Sequence, residues 1–300
     1  MKALGVKKNF SSKTEGLLNF SDLKKMRFKL LYGFMFTILV IIGLICILPT
    51  IWVFLSGFKS VDEMYAIPPT LIPHEFHFEN LATAWVKVNF GKYFVNTIYL
   101  ILGCLFFDII VNGLAGYVLS RVRPKGSAII ETLIFWSMLL PGISMVPLYM
   151  TFVNFPVTHW NFSGSYIPLW LMAGTNAFNI FLFRNFFNSI PMSYLEAARI
   201  DGCSNIGIFM RIILPLSKPI VAVVAIFSIT GTWSNFMWPY LLLDDEHYTV
   251  AVKLYQLSLG TIKNNELMLI MMLSIIPPAI IYMLFSKHIM GGVSMSGLKG

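Results

Sequence analysis

Apolar residues come in long runs along this chain, and polar residues gather in the gaps between them. Six runs have the length that a membrane-spanning helix needs, roughly 20 mostly apolar residues. They fall near 30–57, 93–119, 128–153, 165–187, 215–239 and 266–286. None alternates with a period of two, so none reads as a barrel strand. Backbone N–H and C=O groups in lipid must be satisfied within the segment, which leaves helices. The pattern predicts an all-α membrane protein with six transmembrane helices. Pro141-Gly142 and Pro147 in the third run, and Pro277-Pro278 in the sixth, are expected to kink it.

Composition agrees with a membrane setting. The 300 residues are 57% hydrophobic and 12% charged, with a mean hydropathy of +0.73. A soluble domain averages about 25% charged, and one built like this would expose large apolar patches. The net charge of +8 would suit a nucleic-acid partner, but its distribution does not. Lys2, Lys7, Lys8, Lys13, Lys24, Lys25, Arg27 and Lys29 precede or open the first run, where they read as a topology signal. The segment has no short apolar core with a cleavage site, so it does not read as a signal peptide. With the N-terminus inside, 17 basic residues fall on the inner side and 5 on the outer. That asymmetry predicts that both ends are cytoplasmic.

The expected organisation is a basic cytoplasmic segment 1–29, a first transmembrane helix 30–57, an external loop 58–92, a core 93–290 holding helices two to six, and a cytoplasmic tail 291–300. The external loop carries Asp62, Glu63, Glu75 and Glu79 with Pro68, Pro69 and Pro73; a second outer loop near 240–265 carries Asp244, Asp245 and Glu246. Cys46, Cys104 and Cys203 are scattered and offer neither a disulfide framework nor metal-ligand spacing.

Between runs four and five lies a polar, Ala-rich insert, Glu196 to Pro219, on the predicted cytoplasmic side. Ser189 can cap a first helix with Pro191 in its opening turn. Gly202 suits a helix end because it tolerates left-handed geometry, and Ser204 can cap a second helix running toward Leu214, after which Pro215 would open span five. The result is a helix-turn-helix loop, 189–214, between helices four and five. Ala197 and Ala198 would let another backbone approach, while Glu196 and Asp201 would offer carboxylates to a partner's arginines. A plain cytoplasmic loop rich in helix formers fits the same residues.

The spacing Glu196-Ala197-Ala198, three residues, Gly202, nine residues, Ile212, one residue, Leu214-Pro215 resembles the Glu-Ala-Ala signature of the membrane subunits of binding-protein-dependent ABC importers. Asp201 and the closing Pro215–Pro219 sharpen the likeness. Ala115 to Arg121 and Trp233 to Pro239 are similar to the carbohydrate branch, and the tail Gly291-Gly292 to Gly300 is similar to the maltose-type second permease. Cys203 departs from the usual Ala, a conservative change. The resemblance implies a permease that pairs with a second, non-identical permease and docks two cytoplasmic ATPase subunits. An external sugar-binding protein would feed it. Glu196, Ala197, Ala198, Asp201, Gly202, Leu214 and Pro215 would form the coupling element, and ATP and Mg would sit on the partner ATPase. The chain itself has no G-x-x-x-x-G-K-[ST] loop to cradle phosphates; its one Gly-Lys pair is Gly91-Lys92.

A sugar route needs hydrogen-bonding groups and aromatic faces. Asn176, Asn179, Trp233, Asn235 and Trp238 are the candidates, although Asn also serves as interhelical glue and Trp as an interfacial belt. Asp108 is the one ionisable residue deep in a run and is expected to face the bundle, bonding Asn112 or a neighbouring helix in a structural role. No Arg or Lys sits mid-run, which favours a neutral di- or oligosaccharide. An ion-driven secondary transporter would call for acid–base chains or repeat symmetry. An intramembrane enzyme would need a convergent nucleophile and base. Neither pattern is present.

Overall fold

The computed structural model of the chain describes residues 26–139, 144–260 and 262–296. The basic segment 1–29 therefore lies almost wholly outside the described residues, as do the Pro141-Gly142 pair and the last four residues of the tail. Among the described residues all regular secondary structure is helical.

The chain divides into two units after Val53. The first holds most of α1 (Met26–Gly57), a single helix of 32 residues that runs on through Pro49. Its apolar side chains, such as Phe34, Leu39 and Ile45, are exposed, as suits a surface made for lipid.

The second unit starts with two short helices, α2 (Val61–Met64) and α3 (Glu79–Val88). Next comes α4 (Phe90–Phe107), which continues through a π-helical turn at Asp108–Asn112, α5 (Gly113–Tyr117) and a second π-helical turn at Val118–Val122. Together these make one helix of 33 residues, Phe90–Val122. α6 (Ser127–Leu139), α7 (Met145–Val153), α8 (Ile167–Ala173) and α9 (Ala177–Asn188) follow. The insert forms α10 (Met192–Ile200) and α11 (Asn205–Ile208), then a π-helical turn at Phe209–Ile213 and α12 (Leu214–Leu216). The chain ends with α13 (Lys218–Ser234), α14 (Met237–Leu242), α15 (Val250–Ser258) and α16 (Asn264–Ser296).

The expectation of six transmembrane helices is not met. Among the described residues three helices are long and apolar enough to cross a membrane: Lys29–Gly57, Phe90–Val122 and Asn264–Leu284. A fourth is added if the bent pair Asn205–Leu216 and Lys218–Ser234, which turns by 84°, counts as one span. The other runs are cut. Residues 128–153 become the short helices α6 and α7. Residues 165–187 break at Gly174–Asn176, where extended Asn176 accepts the Asn179 N–H and starts a new helix. Residues 215–239 break at Ser217, not at Pro215, and again at extended Asn235. The 17 residues of α13 span about 25 Å at ~1.5 Å per residue, short of the ~30 Å hydrocarbon core. Hydropathy averages side chains and does not register where the backbone hydrogen-bond ladder stops, so it overcounted.

Three apolar clusters hold the second unit together. One joins Tyr117, Phe183, Phe187, Phe209 and Val224 to the underside of the insert. Another packs α3, α15 and α16 around Ala84, Phe90, Val250 and Ile270. The third packs α4 against α8 and α14 through Leu100, Leu169 and Leu242. The seam between α5 and α9 depends on Gly116: a Cβ there would lie 2.8 Å from Phe183 Cβ and 2.9 Å from the Arg184 nitrogen. Such distances lie inside van der Waals contact, so only glycine lets the two backbones approach this closely.

Candidate coupling surface and polar cavity

The insert folds as a hairpin of two helices, and each end is made by local chemistry. Asp201 N–H donates to Ala197 O at 3.0 Å, Gly202 N–H to Arg199 O at 3.0 Å, and Cys203 N–H to Ala198 O at 2.9 Å. The last two are the 5→2 and 6→1 bonds of a Schellman motif. Gly202 takes the left-handed position it requires, with φ +78°. Cys203 packs against the same cluster as Ala198, which supplies the apolar contact that accompanies this motif. Ser204 then caps the second helix, its Oγ accepting the Gly207 N–H at 3.2 Å. The first helix begins after Pro191, which occupies the cap position, while Ser189 closes α9.

The hairpin has two faces. Leu195, Ala198, Ile208, Phe209 and Ile213 are buried in the cluster beneath it. Glu196, Ala197, Asp201, Gly202 and Pro215 are exposed, and Leu214 is half-buried. Of the alanine pair, Ala197 is therefore at the surface and Ala198 belongs to the core. Arg121, at the end of the long Phe90–Val122 helix, ties the hairpin's base. Its Nε donates to Phe187 O at 2.9 Å, and its Nη2 bonds Phe187 O and Ile190 O. The Arg184 guanidinium grips the Glu131 carboxylate with two bonds of 2.9 Å, joining α9 to α6, the fork geometry that positions a pair best.

The second feature is a cavity of about 280 Å³ whose polar lining is Asp108, Asn176, Asn179, Ser228, Thr232 and Asn235. Asp108 is buried at 3% exposure and, among the described residues, is the only Asp, Glu, Lys, Arg or His in the lining. The Asn112 amide donates to its Oδ1 at 2.6 Å, and the Asn179 amide donates to Oδ1 at 2.8 Å and Oδ2 at 2.9 Å. Asn112 also donates to Ala173 O at 2.9 Å. Asp108 thus bonds both Asn112 and a neighbouring helix. A buried carboxylate needs this satisfaction because an unpaired one costs several kcal/mol or more.

Of the five candidates for a sugar route, Asn176, Asn179 and Asn235 line the cavity. Asn176 is also the cap of α9. Trp233 and Trp238 are not in the lining: the Trp233 indole donates to Ser274 O at 3.1 Å, and Trp238 packs against the α4–α8–α14 cluster. Ser228 and Thr232, which sequence reading did not single out, do line it. The signal that could have found them is a polar face recurring at four-residue spacing within an apolar helix. A second hollow of about 370 Å³, between Trp85, Phe94 and Ile276, carries no hydroxyl, amide or charged side chain, and its lining is aliphatic and aromatic.

The family described as binding-protein-dependent transport system inner membrane component matches residues 112–294. The chain belongs to this family. The chain is 30% identical over 267 residues to the diacetylchitobiose uptake system permease protein NgcG of Streptomyces coelicolor, covering 87% of each chain. It is 29% identical over 293 residues to the polygalacturonan/rhamnogalacturonan transport system permease protein YtcP of Bacillus subtilis, covering 90% of this chain and 97% of that one. In fold it is similar to a chain of a bacterial ABC transporter involved in the import of the acidic polysaccharide alginate, with a TM-score of 0.73 and 24% identity, covering 91% of this chain and 99% of that chain. The protein is a multi-pass inner-membrane component of a binding-protein-dependent transport system. As a member of this family it is a membrane component that works with a separate binding protein.

Proposed function

We propose that this chain is the maltose-type second permease of its importer and forms half of the path for a neutral di- or oligosaccharide. The observation that carries the reading is the exposed edge of the hairpin, Glu196, Ala197, Asp201 and Gly202, standing on a core that continues into the long Phe90–Val122 helix through Tyr117. A partner that grips this edge can move that helix, because the contact beneath it is close-packed and transmits displacement. Leu214 and Pro215 complete the element, next to the Ser217 break where the 84° bend lets it shift. Two ATPase subunits, one on this hairpin and one on that of a second, non-identical permease, would close on binding ATP. ATP shifts the equilibrium by its higher affinity for the closed state. Arg199 and Arg211 lie in the hairpin, Arg121 and Arg123 bond the segment that leads into it, and Arg184 sits one turn earlier on α9, which supports a cytoplasmic hairpin with cytoplasmic termini, and a binding protein delivering sugar from the opposite side.

The cavity supports the substrate class. Exposed Asn176 and half-buried Asn235 offer amide donors and acceptors to hydroxyls, while Asn179 is committed to Asp108. The one carboxylate, Asp108, would repel an acidic sugar, and no basic side chain in the lining would attract one. The test uses the whole complex, with partner permease, ATPase and binding protein, in vesicles. Uptake of a neutral disaccharide should require ATP and should not follow from an oligogalacturonide. Glu196→Lys should weaken co-purification with the ATPase at least tenfold. Uptake without the ATPase, or unchanged association of Glu196→Lys, would overturn the reading.

A further inference from the structure

Two members of an aromatic triad follow cavity-lining residues directly in the chain. Helix α13 ends at Asn235, whose backbone is extended, and α14 begins at Met237. Phe236 and Tyr240 therefore follow directly on Asn235 and Pro239, both of which line the cavity. Their rings stack at 5.2 Å with planes 20° apart. Tyr255, from α15, meets Phe236 edge-on at 4.9 Å and Tyr240 at 5.5 Å. Tyr240 and Tyr255 remain 40% and 41% exposed. Neither hydroxyl makes a hydrogen bond among the described residues, unlike Tyr166, whose hydroxyl donates to His247 O at 3.1 Å.

We propose that Phe236, Tyr240 and Tyr255 form a stacking platform for a pyranose ring at the edge of the cavity lined by Asp108, Asn176, Asn179 and Asn235. The inference rests on the sugar-path reading above and deepens it. A pyranose has an apolar C–H face and a rim of hydroxyls. An exposed aromatic face suits the first, and a row of amides, hydroxyls and a carboxylate suits the second. Ligand sites combine these features, mostly apolar or aromatic walls with a few placed polar groups. Here the helix break at Asn235 puts an amide into the cavity lining, and the aromatic Phe236 is the next residue along the chain. The two free phenol hydroxyls add donors at the platform's edge. Stacking of this kind holds any pyranose that presents a C–H face, so the platform would guide a sugar past rather than select one.

The test is made on the assembled complex with the double variant Tyr240→Leu/Tyr255→Leu, which keeps apolar bulk and removes the rings. The probes are maltose, cellobiose, melibiose and diacetylchitobiose, each offered on the saturated binding protein. We expect uptake of the transported sugar to fall at least tenfold, with ATPase activity stimulated by the loaded binding protein staying within twofold of the wild type. Tyr240→Phe/Tyr255→Phe, which keeps the rings, should retain at least half of the uptake. If both uptake and stimulated ATPase fall together, or if the leucine variant no longer co-purifies with the partner permease, the triad is a packing or subunit-interface element and the platform is overturned. If the wild type transports and the leucine variant matches it, the platform alone fails. If the wild type takes up none of the four sugars, the substrate reading fails and the platform falls with it.

Discussion

The hairpin and the cavity are built in opposite ways. Every group that shapes the hairpin's turn lies within ten residues of chain: Ala197, Ala198 and Arg199 supply the carbonyls, Gly202 the left-handed position, Ser204 the cap. The cavity draws Asp108, Asn179 and Ser228 from three helices far apart in sequence. A local motif tolerates change in its surroundings but not in its few key atoms. A convergent cluster depends on every helix that carries it, because its buried members, Asp108 and Asn179, satisfy each other across helices.

The largest effect should come from the seam both regions share. Gly116→Leu places side-chain atoms where Phe183 Cβ and the Arg184 nitrogen already are. It should separate α5 from α9, abolish transport and lower the amount of folded complex severalfold, measured by size-exclusion chromatography in detergent. If the complex forms normally, the two regions are not coupled through this seam.

Gly202→Val should separate the regions. The φ of +78° costs a β-branched residue roughly 1–3 kcal/mol, while a Cβ there meets open space. Insertion and assembly should survive, and sugar uptake with stimulated ATPase should fall at least tenfold. Normal uptake would mean that the turn geometry does not matter for coupling.

Asp108→Ala acts on the cavity alone. It removes the shared acceptor of the Asn112 and Asn179 amides, at about 1–3 kcal/mol for each orphaned group. Thermal stability of the complex should drop by several degrees, and Asp108→Asn, which keeps an acceptor, should restore most of it. Equal loss in both variants would show that the negative charge itself is required.

The smallest effect belongs to the loop that carries Glu63. Burial pushes the Glu63 carboxyl up, but the His74 backbone N–H and the Thr70 hydroxyl outweigh it and hold the carboxyl below its ordinary value. Its folded-state affinity for protons is thus lower than in the unfolded chain. The stability it adds is present above the ordinary carboxylate value and is lost as pH falls through the lowered one. Because the group is close to solvent, Glu63→Gln should shift the melting temperature at pH 7 by only about one degree. A larger shift would make this loop a structural centre comparable with the hairpin.

Much of the hairpin was legible in the chain. Gly202 and Ser204 announced their geometry because backbone sterics and a side-chain cap act over three or four residues. The cavity was half legible: Asp108 with Asn112 one turn on could be read, and so could Asn179, but not their meeting. Ser228 and Thr232 were hidden inside an apolar run. An indole looks alike in sequence whether it lines a cavity or a packed seam, and the structure keeps Trp233, bonded to Ser274 O, and Trp238, packed in the α4–α8–α14 cluster, out of this lining.

By itself the sequence determined that this protein is helical, lives in a membrane and carries an exposed hairpin of the Glu-Ala-Ala type. Apolar run length, backbone satisfaction in lipid and cap chemistry are local properties. Only the tertiary structure decided how many helices are long enough to cross, because breaks at Gly174–Asn176, Ser217 and Asn235 belong to the backbone and leave average hydropathy unchanged. It also decided which polar side chains converge, since that depends on helices brought together by close packing at Gly116 and across the α4–α8 seam.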